Sequence, residues 1–277
     1  MLFRAKKCLP KIVRMIFLLL LALFFFVPLF LILVNSFKPG DKVMTSPLSL
    51  PIPPVFDSIK SVLQNKSNNV FYMYKNSLTL LVFVVPLSIV CNSMASFYLA
   101  RNNSKMSKFM RFYFLAGLMV PYVIVYIPIA LVARNLHIPF GIPLLIAIFL
   151  AATVPFTTFM YTNFIKTVPV ELEEAASIDG AGKFYTFWKI IFPLLKPCTA
   201  TVIIFNGLGV WNDFMTPLLM GQVKTITVGI YSAIGPYSAD WSMIFGYLLF
   251  AVVPVIIIYL FLQKQFIAGL TVGATKG

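Results

Sequence analysis

Six long stretches of the sequence contain no charged residue, and this feature constrains the fold more than any other. They lie at 16–34, 76–100, 112–133, 138–165, 198–211 and 241–263. A helix needs roughly 20 apolar residues to cross the hydrocarbon core of a membrane, and the shortest stretch, 198–211, extends back to Pro193 and forward to Met220. Because helices satisfy their own backbone hydrogen bonds in lipid, we predict an all-α integral membrane protein with six transmembrane helices.

The composition excludes several other classes of protein. Hydrophobic residues make up 60% of the chain and charged residues 11%, whereas soluble domains are nearer half apolar and about a quarter charged. A soluble enzyme, a disulfide scaffold and a disordered regulator are therefore excluded. Cys8, Cys91 and Cys198 lack the spacing of a metal site, and His137 is the only histidine, so we expect neither a disulfide nor a bound metal.

The distribution of positive charge predicts the orientation in the membrane. Fifteen of the 22 Lys and Arg residues lie on the same predicted side as the N-terminus, within 4–14, 101–111, 166–196 and 264–276. Since cytoplasmic loops carry such an excess, we predict that both termini are cytoplasmic. The net charge of +14 then reflects topology and not a nucleic-acid partner. The first stretch ends without a signal-peptide cleavage pattern, so we expect it to be retained as a span.

The predicted outer loop, 37–75, has two parts. Its first half contains five prolines, which keep the backbone extended. In its second half, Asp57 or Ser58 can cap a short helix whose apolar face includes Val62. This helix would pack on the outer rim of the spans, form a docking surface for an external partner, or do both.

The predicted cytoplasmic loop at 168–197 has the pattern of two short amphipathic helices. Pro169 fits the first turn of a helix, whose positive end is complemented by acidic side chains. Three glutamates occupy that turn: Glu171, Glu173 and Glu174. Gly180 permits a sharp turn. A second apolar stripe follows it, at Phe184, Phe187, Trp188 and Ile191.

This loop resembles a known signature. Glu174-Ala175-Ala176, Gly180 and Ile190-Ile191-Phe192-Pro193 have the spacing of the EAA motif, EAA-x3-G-x9-I-x-L-P, with Phe192 where Leu is usual. The motif marks permease subunits of binding-protein-dependent ABC importers. The stretches at 172–181, 211–218 and 269–277 are similar to the carbohydrate-importing branch, and in particular to the smaller permease of maltose-type systems.

The resemblance implies the type I ABC importer permease fold, with coupling helices between the fourth and fifth spans. It implies a single membrane domain with three regions: an N-terminal span and outer loop at 1–70, a permease core at 71–264 containing the coupling loop 168–193, and a cytoplasmic tail at 265–277. In the family, the coupling loop sits in a cleft of the ATPase subunit.

The resemblance also implies which residues couple the chain to the ATPase. Glu174 would be the acidic contact, Gly180 the turn, and the two alanines would allow a close approach. The full implied set is Glu174, Ala175, Ala176, Gly180, Ile190 and Pro193. The tail would add weaker contacts from Thr275, Lys276 and Gly277.

The implied function is import of a sugar or oligosaccharide by alternating access across the bacterial cytoplasmic membrane. The implied partners are a second, related permease, two ATPase subunits and an extracellular or periplasmic solute-binding protein. The sequence lacks the P-loop that cradles nucleotide phosphates. We therefore expect this chain to have no enzymatic activity and no cofactor, with ATP and Mg²⁺ bound by the ATPase subunits.

Three alternatives stand beside this interpretation. The same machinery could import glycerol phosphate or another small solute. A secondary transporter driven by an ion gradient would need acidic residues within the membrane, and only Asp213 is close to one. A membrane-embedded enzyme would need a catalytic constellation, and no spacing of serine, acid and histidine suggests one.

Polar residues inside the spans are candidates for the translocation path or for hydrogen bonds between helices. They are Asn92, Asn206, Asn212 and Asp213. For Asn92 and Asn206 we favour hydrogen bonds between helices. For Asp213, helix termination or packing near the membrane surface is weighed equally with a place in the path. Three tyrosines could stack on sugar rings, but we assign them to interfacial aromatic belts: Tyr122, Tyr126 and Tyr161.

Overall fold

The computed structural model describes residues 11–234 and 239–274, and nearly all regular structure within them is helical. In chain order the helices are α1 (Lys11–Asn35), α2 (Gly40–Thr45), α3 (Asp57–Gln64), α4 (Val70–Arg101), α5 (Lys105–Ala116), α6 (Tyr122–Asn135), α7 (Ile142–Ile165), α8 (Glu171–Ile178), α9 (Lys183–Thr186), α10 (Phe192–Leu194), α11 (Lys196–Asn212), α12 (Ile226–Ser232) and α13 (Trp241–Ala274). A 3-10 turn at Gly117–Met119 and π-helical turns at Phe187–Ile191 and Pro217–Gly221 lie between them.

Among the described residues, four helices are long and apolar enough to cross a membrane unaided: α1, α4, α7 and α13. Two bent pairs of helices are long and apolar enough only when the two members of each pair are taken together. The segment Lys105–Met119 meets α6 at 104°, and Lys183–Leu194 meets α11 at 79°. Counting each pair as one span gives the six that the charge-free stretches predict.

The first bend corrects the prediction of one continuous helix over 112–133. It falls at the 3-10 turn and at Pro121, which disfavours helical geometry in the residue before it. Gly117 lies so close to Pro155 of α7 that a Cβ on the glycine would be 2.8 Å from the proline Cγ. The bend therefore forms where backbone and neighbouring helix approach closely.

The internal contacts divide the chain into two compact units. The first unit combines the residues up to Asn69 with Ser232–Phe250, so it contains the long loop and the start of α13. The second unit combines Val70–Tyr231 with the residues from Ala251 onward. In the second unit α4 packs along α7 and α11, and α5 packs on α7.

Helix α3 packs against the start of α13 within the first unit. Val62 is fully buried, and a Cβ on Gly246 would lie 2.8 Å from its Cγ2. Ser58 Oγ and Ser242 Oγ are hydrogen-bonded at 2.8 Å. Phe56 occupies the N-cap position, and no side chain caps the helix. The predicted cap at Asp57 or Ser58 is wrong, because both residues lie inside the first turn of the helix.

Lys38 fixes the start of the long loop. The side chain is only 1% exposed, and its Nζ donates to Asn35 Oδ1 at 3.1 Å, Ser46 O at 2.7 Å and Pro47 O at 2.9 Å. An ammonium group has three donors, so all of them are satisfied. Burial lowers the pKa of the Lys38 amine. The lysine thus ties residues 46–47 back to the end of α1.

Candidate coupling site

One side of helix α8 is buried against the rest of the chain, and the other side is exposed. Ala176 is buried and the Glu173 side chain is 18% exposed, whereas Glu174 and Ala175 are exposed. Of the two predicted alanines, only Ala175 is thus open to a partner. Ile178, four residues after Glu174, is 86% exposed. Ile178 is not among the predicted coupling residues, although an isoleucine on an acidic helix is a signal that could have indicated it.

Arg101, the last residue of α4, anchors the inner side of α8. Its Nε donates to Glu173 Oε1 at 2.7 Å, and its Nη2 donates to Val168 O at 2.9 Å. The planar guanidinium can hold two acceptors in fixed directions. Helix α8 is therefore tied to the end of α4 by a partly buried ion pair.

Gly180 ends α8 in a Schellman motif. Its φ is +78°, the left-handed region in which glycine carries no Cβ penalty. The N–H of Ala181 donates to Ala176 O at 2.9 Å, and the N–H of Gly180 donates to Ser177 O at 3.1 Å. These are the two bonds that define the motif. The structure therefore places Gly180 at the end of α8, immediately before the turn into α9.

The second half of the loop is a continuous helical segment with a wide turn. The N–H of Phe192 donates to Phe187 O, five residues back. Pro193 has no N–H and cannot continue the regular pattern, so the π turn precedes it. Of the predicted coupling residues here, Ile190 is half-buried and Pro193 is exposed.

The predicted apolar stripe is correct only in part. Phe187 and Ile191 are buried, and the ring of Trp188 contacts the rings of Phe187 and Phe192 at an angle, with centroid distances of 5.0 and 4.8 Å. Phe184 is 68% exposed, contrary to the expectation. Phe184 lies in the first turn of α9, before the wide turn, and faces the open space between α4, α8 and α9.

A cavity of about 720 Å³ opens between the end of α4 and the helices α8 and α9. Its lining combines both signs of charge with aromatic rings, including Arg101, Glu174, Lys183, Phe97 and Phe184. Such a surface can receive charged and apolar side chains of another protein.

The structure joins Asn206 to two other spans. Its Nδ2 donates to Ser88 Oγ at 3.1 Å and to Thr157 Oγ1 at 2.9 Å, so α11 is linked to α4 and α7. The predicted hydrogen bonding between helices is present at this residue. Asn92 is buried in α4.

Asp213 terminates α11, as one of its two predicted roles required. Its carboxylate accepts hydrogen bonds from the backbone N–H and the hydroxyl of Thr216. The Thr216 hydroxyl is also hydrogen-bonded with Tyr126 Oη at 3.3 Å. The preceding residue, Asn212, is exposed.

The assignment of the tyrosines to an interfacial belt is wrong for two of them. Tyr161 is fully buried and its hydroxyl donates to Thr199 Oγ1 at 3.0 Å; Tyr126 is buried as well. Both side chains have polar partners inside the chain, which removes the need for contact with the membrane surface. Thr275, Lys276 and Gly277 lie outside the described residues.

The sequence is similar to characterised transport proteins over nearly its whole length. The multiple sugar-binding transport system permease protein MsmG of Streptococcus mutans is 35% identical over 259 residues, which are 90% of this chain and 91% of that protein. The arabinooligosaccharides transport system permease protein AraQ of Bacillus subtilis is 32% identical over 272 residues, 96% of each.

A solved structure shares the fold. A chain of a bacterial ABC transporter involved in the import of the acidic polysaccharide alginate has a TM-score of 0.79 at 22% identity, covering 92% of this chain and 96% of that one. The predicted type I ABC importer permease fold is confirmed. A family model described as binding-protein-dependent transport system inner membrane component matches residues 85–271. With the coupling helix and the spans in place, the chain belongs to this family of inner membrane components.

Proposed function

We propose that this chain is a permease subunit that imports a sugar or oligosaccharide by alternating access, driven by ATP. The relatives named above carry multiple sugars and arabinooligosaccharides, which favours a carbohydrate substrate. The observation that carries the proposal is helix α8, which is anchored on one side by Arg101 and open on the other at Glu174, Ala175 and Ile178.

Helix α8 connects to membrane spans at both of its ends. Arg101 links its first turn to α4, and the Gly180 turn leads through α9 and α10 into α11. A displacement of α8 by an ATPase subunit would therefore move the ends of two spans together. That is the mechanical requirement for a cavity that opens to alternate sides of the membrane.

The proposed assembly contains a second permease, two ATPase subunits and a solute-binding protein. ATP and Mg²⁺ would be bound by the ATPase subunits, and this chain would hold no cofactor and catalyse no reaction. In the assembly Glu174 would meet a cationic side chain of the ATPase, and Ile178 an apolar depression beside it. Both termini would be cytoplasmic, as the distribution of basic residues predicts.

Uptake by reconstituted vesicles tests the transport function. The complex is reconstituted with its binding protein, and uptake of labelled arabino-oligosaccharide and of glycerol phosphate is measured with and without ATP at the ATPase side. We expect sugar uptake that requires ATP. Uptake of glycerol phosphate alone would favour the small-solute alternative, and sustained uptake in energised vesicles without ATP would favour a secondary transporter.

Charge removal on α8 tests the coupling role. We expect Glu174→Ala to lower transport-coupled ATP hydrolysis about tenfold or more, because truncating one partner of an interfacial charge pair costs about 2 kcal/mol or more. Glu171→Ala removes the same charge from the same helix and serves as the control. Equal losses in both variants would contradict a specific contact at Glu174.

A further inference from the structure

A second cavity, of about 270 Å³, lies between α5 and α7 and has a distinct chemistry. Arg111 of α5 and Lys166, which directly follows α7, bring two positive charges to it. Thr158 and Thr162 contribute hydroxyl groups, and Phe112 and Phe159 contribute aromatic rings. Since Thr158, Thr162 and Lys166 follow one another at intervals of four residues, they share one side of the helical path.

The Thr162 hydroxyl is the most informative group in this cavity. The residue is only 5% exposed, and its Oγ1 has no hydrogen-bond partner within the described part of the chain. A buried polar group without a partner is costly, so nearly all such groups in native proteins are satisfied. Thr162 lines the cavity, so a rotation of its side chain toward the cavity would let a ligand oxygen accept a hydrogen bond from this hydroxyl.

The two cations of the cavity are not neutralised by the chain. The ion pair between Arg101 and Glu173 is the only one that residues 11–234 and 239–274 form. Arg111 Nη1 donates to the backbone oxygen of Leu99, which orients the guanidinium without cancelling its charge. Lys166 is exposed. The cavity therefore combines uncompensated positive charge with a free buried hydroxyl.

A phosphate group matches this set of donors. It is anionic, and its oxygens can accept hydrogen bonds from guanidinium, ammonium and hydroxyl groups at once. Beside the cations, Phe112 is 69% exposed and Phe159 is 42% exposed, and they lie on α5 and α7, which are parts of candidate membrane spans. A ligand that carries a phosphate and a hydrocarbon chain would use both surfaces.

We propose that the cavity between α5 and α7 binds the phosphate headgroup of an anionic phospholipid. Arg111 and Lys166 pair with the phosphate, the Thr162 hydroxyl donates to one of its oxygens, and the two phenylalanine rings contact the acyl chains. Basic pockets between transmembrane helices are suited to such headgroups.

Lipid retention by the purified protein tests the proposal. The full-length chain, purified with its associated subunits in neutral detergent and stripped of lipid, is titrated with phosphatidylglycerol or phosphatidylcholine and analysed by mass spectrometry of the intact complex. We expect the first phosphatidylglycerol to bind about tenfold more tightly than phosphatidylcholine. Arg111→Gln combined with Lys166→Gln should abolish that preference.

Two further variants distinguish a specific lipid site from non-specific electrostatic attraction to the lipid, and from loss of the native fold. Lys105→Gln with Lys108→Gln removes the same charge from exposed residues of α5 outside the cavity and should keep the preference. Thr162→Val keeps the shape of the side chain and removes the hydroxyl. It should raise the thermal midpoint of the lipid-free protein and reduce the stabilisation by phosphatidylglycerol.

Three outcomes would overturn the proposal. The first is an equal loss of preference in the Lys105/Lys108 variant, which would indicate diffuse attraction to the membrane surface. The second is a Thr162→Val protein whose lipid-induced stabilisation is unchanged. The third is displacement of phosphatidylglycerol by millimolar inorganic phosphate with equal stabilisation, which would identify free phosphate as the ligand.

Discussion

Arg101 makes two interactions through one planar guanidinium group, so we expect its substitution to disturb the attachment of α8. Its Nε and Nη2 reach different acceptors, the Glu173 carboxylate and the Val168 carbonyl. The side chains of the ion pair are 19% and 18% exposed, so water screens it only partly. Loss of the arginine would leave both acceptors without their donor.

Arg101→Gln should therefore loosen α8 from α4. We expect destabilisation of about 1.5–3 kcal/mol, the range for hydrogen bonds to charged groups, measured by thermal unfolding in detergent. Arg101→Lys keeps the charge but cannot hold both acceptors in the same geometry, so we expect it to restore only part of the stability. Full recovery with lysine would contradict the role of the guanidinium fork.

Substitution of Asn206 distinguishes its two proposed roles, which are hydrogen bonding between helices and a place in the translocation path. In Asn206→Leu the hydrogen bonds to Ser88 and Thr157 are lost, and we expect a cost of about 0.6–1.7 kcal/mol, as for other hydrogen bonds between transmembrane helices. Sugar uptake per folded molecule should stay near the wild-type value. If uptake falls sharply while the unfolding temperature is unchanged, Asn206 belongs to the translocation path instead.

At the scale of the element, the most informative feature of α8 is its C-terminal end at Gly180. The Schellman motif at Gly180 sets the direction in which the chain leaves the helix, and no side chain lies within 4 Å of the position that a Cβ would occupy. The constraint at this position is therefore the backbone conformation alone. A nearby glycine, Gly182, also has open space but has an ordinary φ of −70°.

The two glycines form a matched pair of substitutions. Gly180→Ala should destabilise the turn by about 1 kcal/mol because alanine disfavours a φ of +78°, and it should reduce coupled ATP hydrolysis. Gly182→Ala should be neutral in both measurements. Thermal unfolding and ATPase assays on the two variants side by side give the comparison, and equal effects would show that the φ at Gly180 is not what matters.

The sequence predicts an element well when the interacting residues are close to one another along the chain, and poorly when they are far apart. The spacing of the EAA motif is local, and it located α8 and Gly180 correctly. The partner of Glu173 lies 72 residues earlier in the chain, so no local pattern could reveal it. Likewise, Pro121 and Pro128 look alike in the sequence, but Pro128 lies inside α6, whereas Pro121 precedes it at the bend, near the close packing of Gly117 on Pro155.

At the scale of the whole molecule, the six charge-free stretches agree with four long helices and two bent pairs, if each pair is one span. This agreement is possible because hydrophobic length is a property of composition. The orientation of those spans rests on the basic residues, fifteen of which lie on one predicted side. Ile178 and Lys66 lie on opposite predicted sides, and both are exposed. These two positions are therefore suitable for a labelling experiment that determines which side of the membrane each one faces.

Ile178→Cys and Lys66→Cys, each in a chain without its native cysteines, test the orientation. In intact cells or spheroplasts, a membrane-impermeant maleimide should label position 66 and leave position 178 unmodified. After lysis and removal of the ATPase subunits, which would otherwise cover position 178, both should react. Labelling of position 178 in intact cells would reverse the predicted topology.

The three hydrogen bonds of Lys38 also determine its chemical reactivity. Amine-directed cross-linkers need an accessible, unprotonated nitrogen, and the Nζ of Lys38 is enclosed by its three acceptors. Three other lysines of the same loop are exposed, Lys42, Lys60 and Lys66, as is Lys75 near the start of α4. Cross-links from this region to a docked binding protein should therefore start from those four. A cross-link at Lys38 would report a loop that had already lost its native structure.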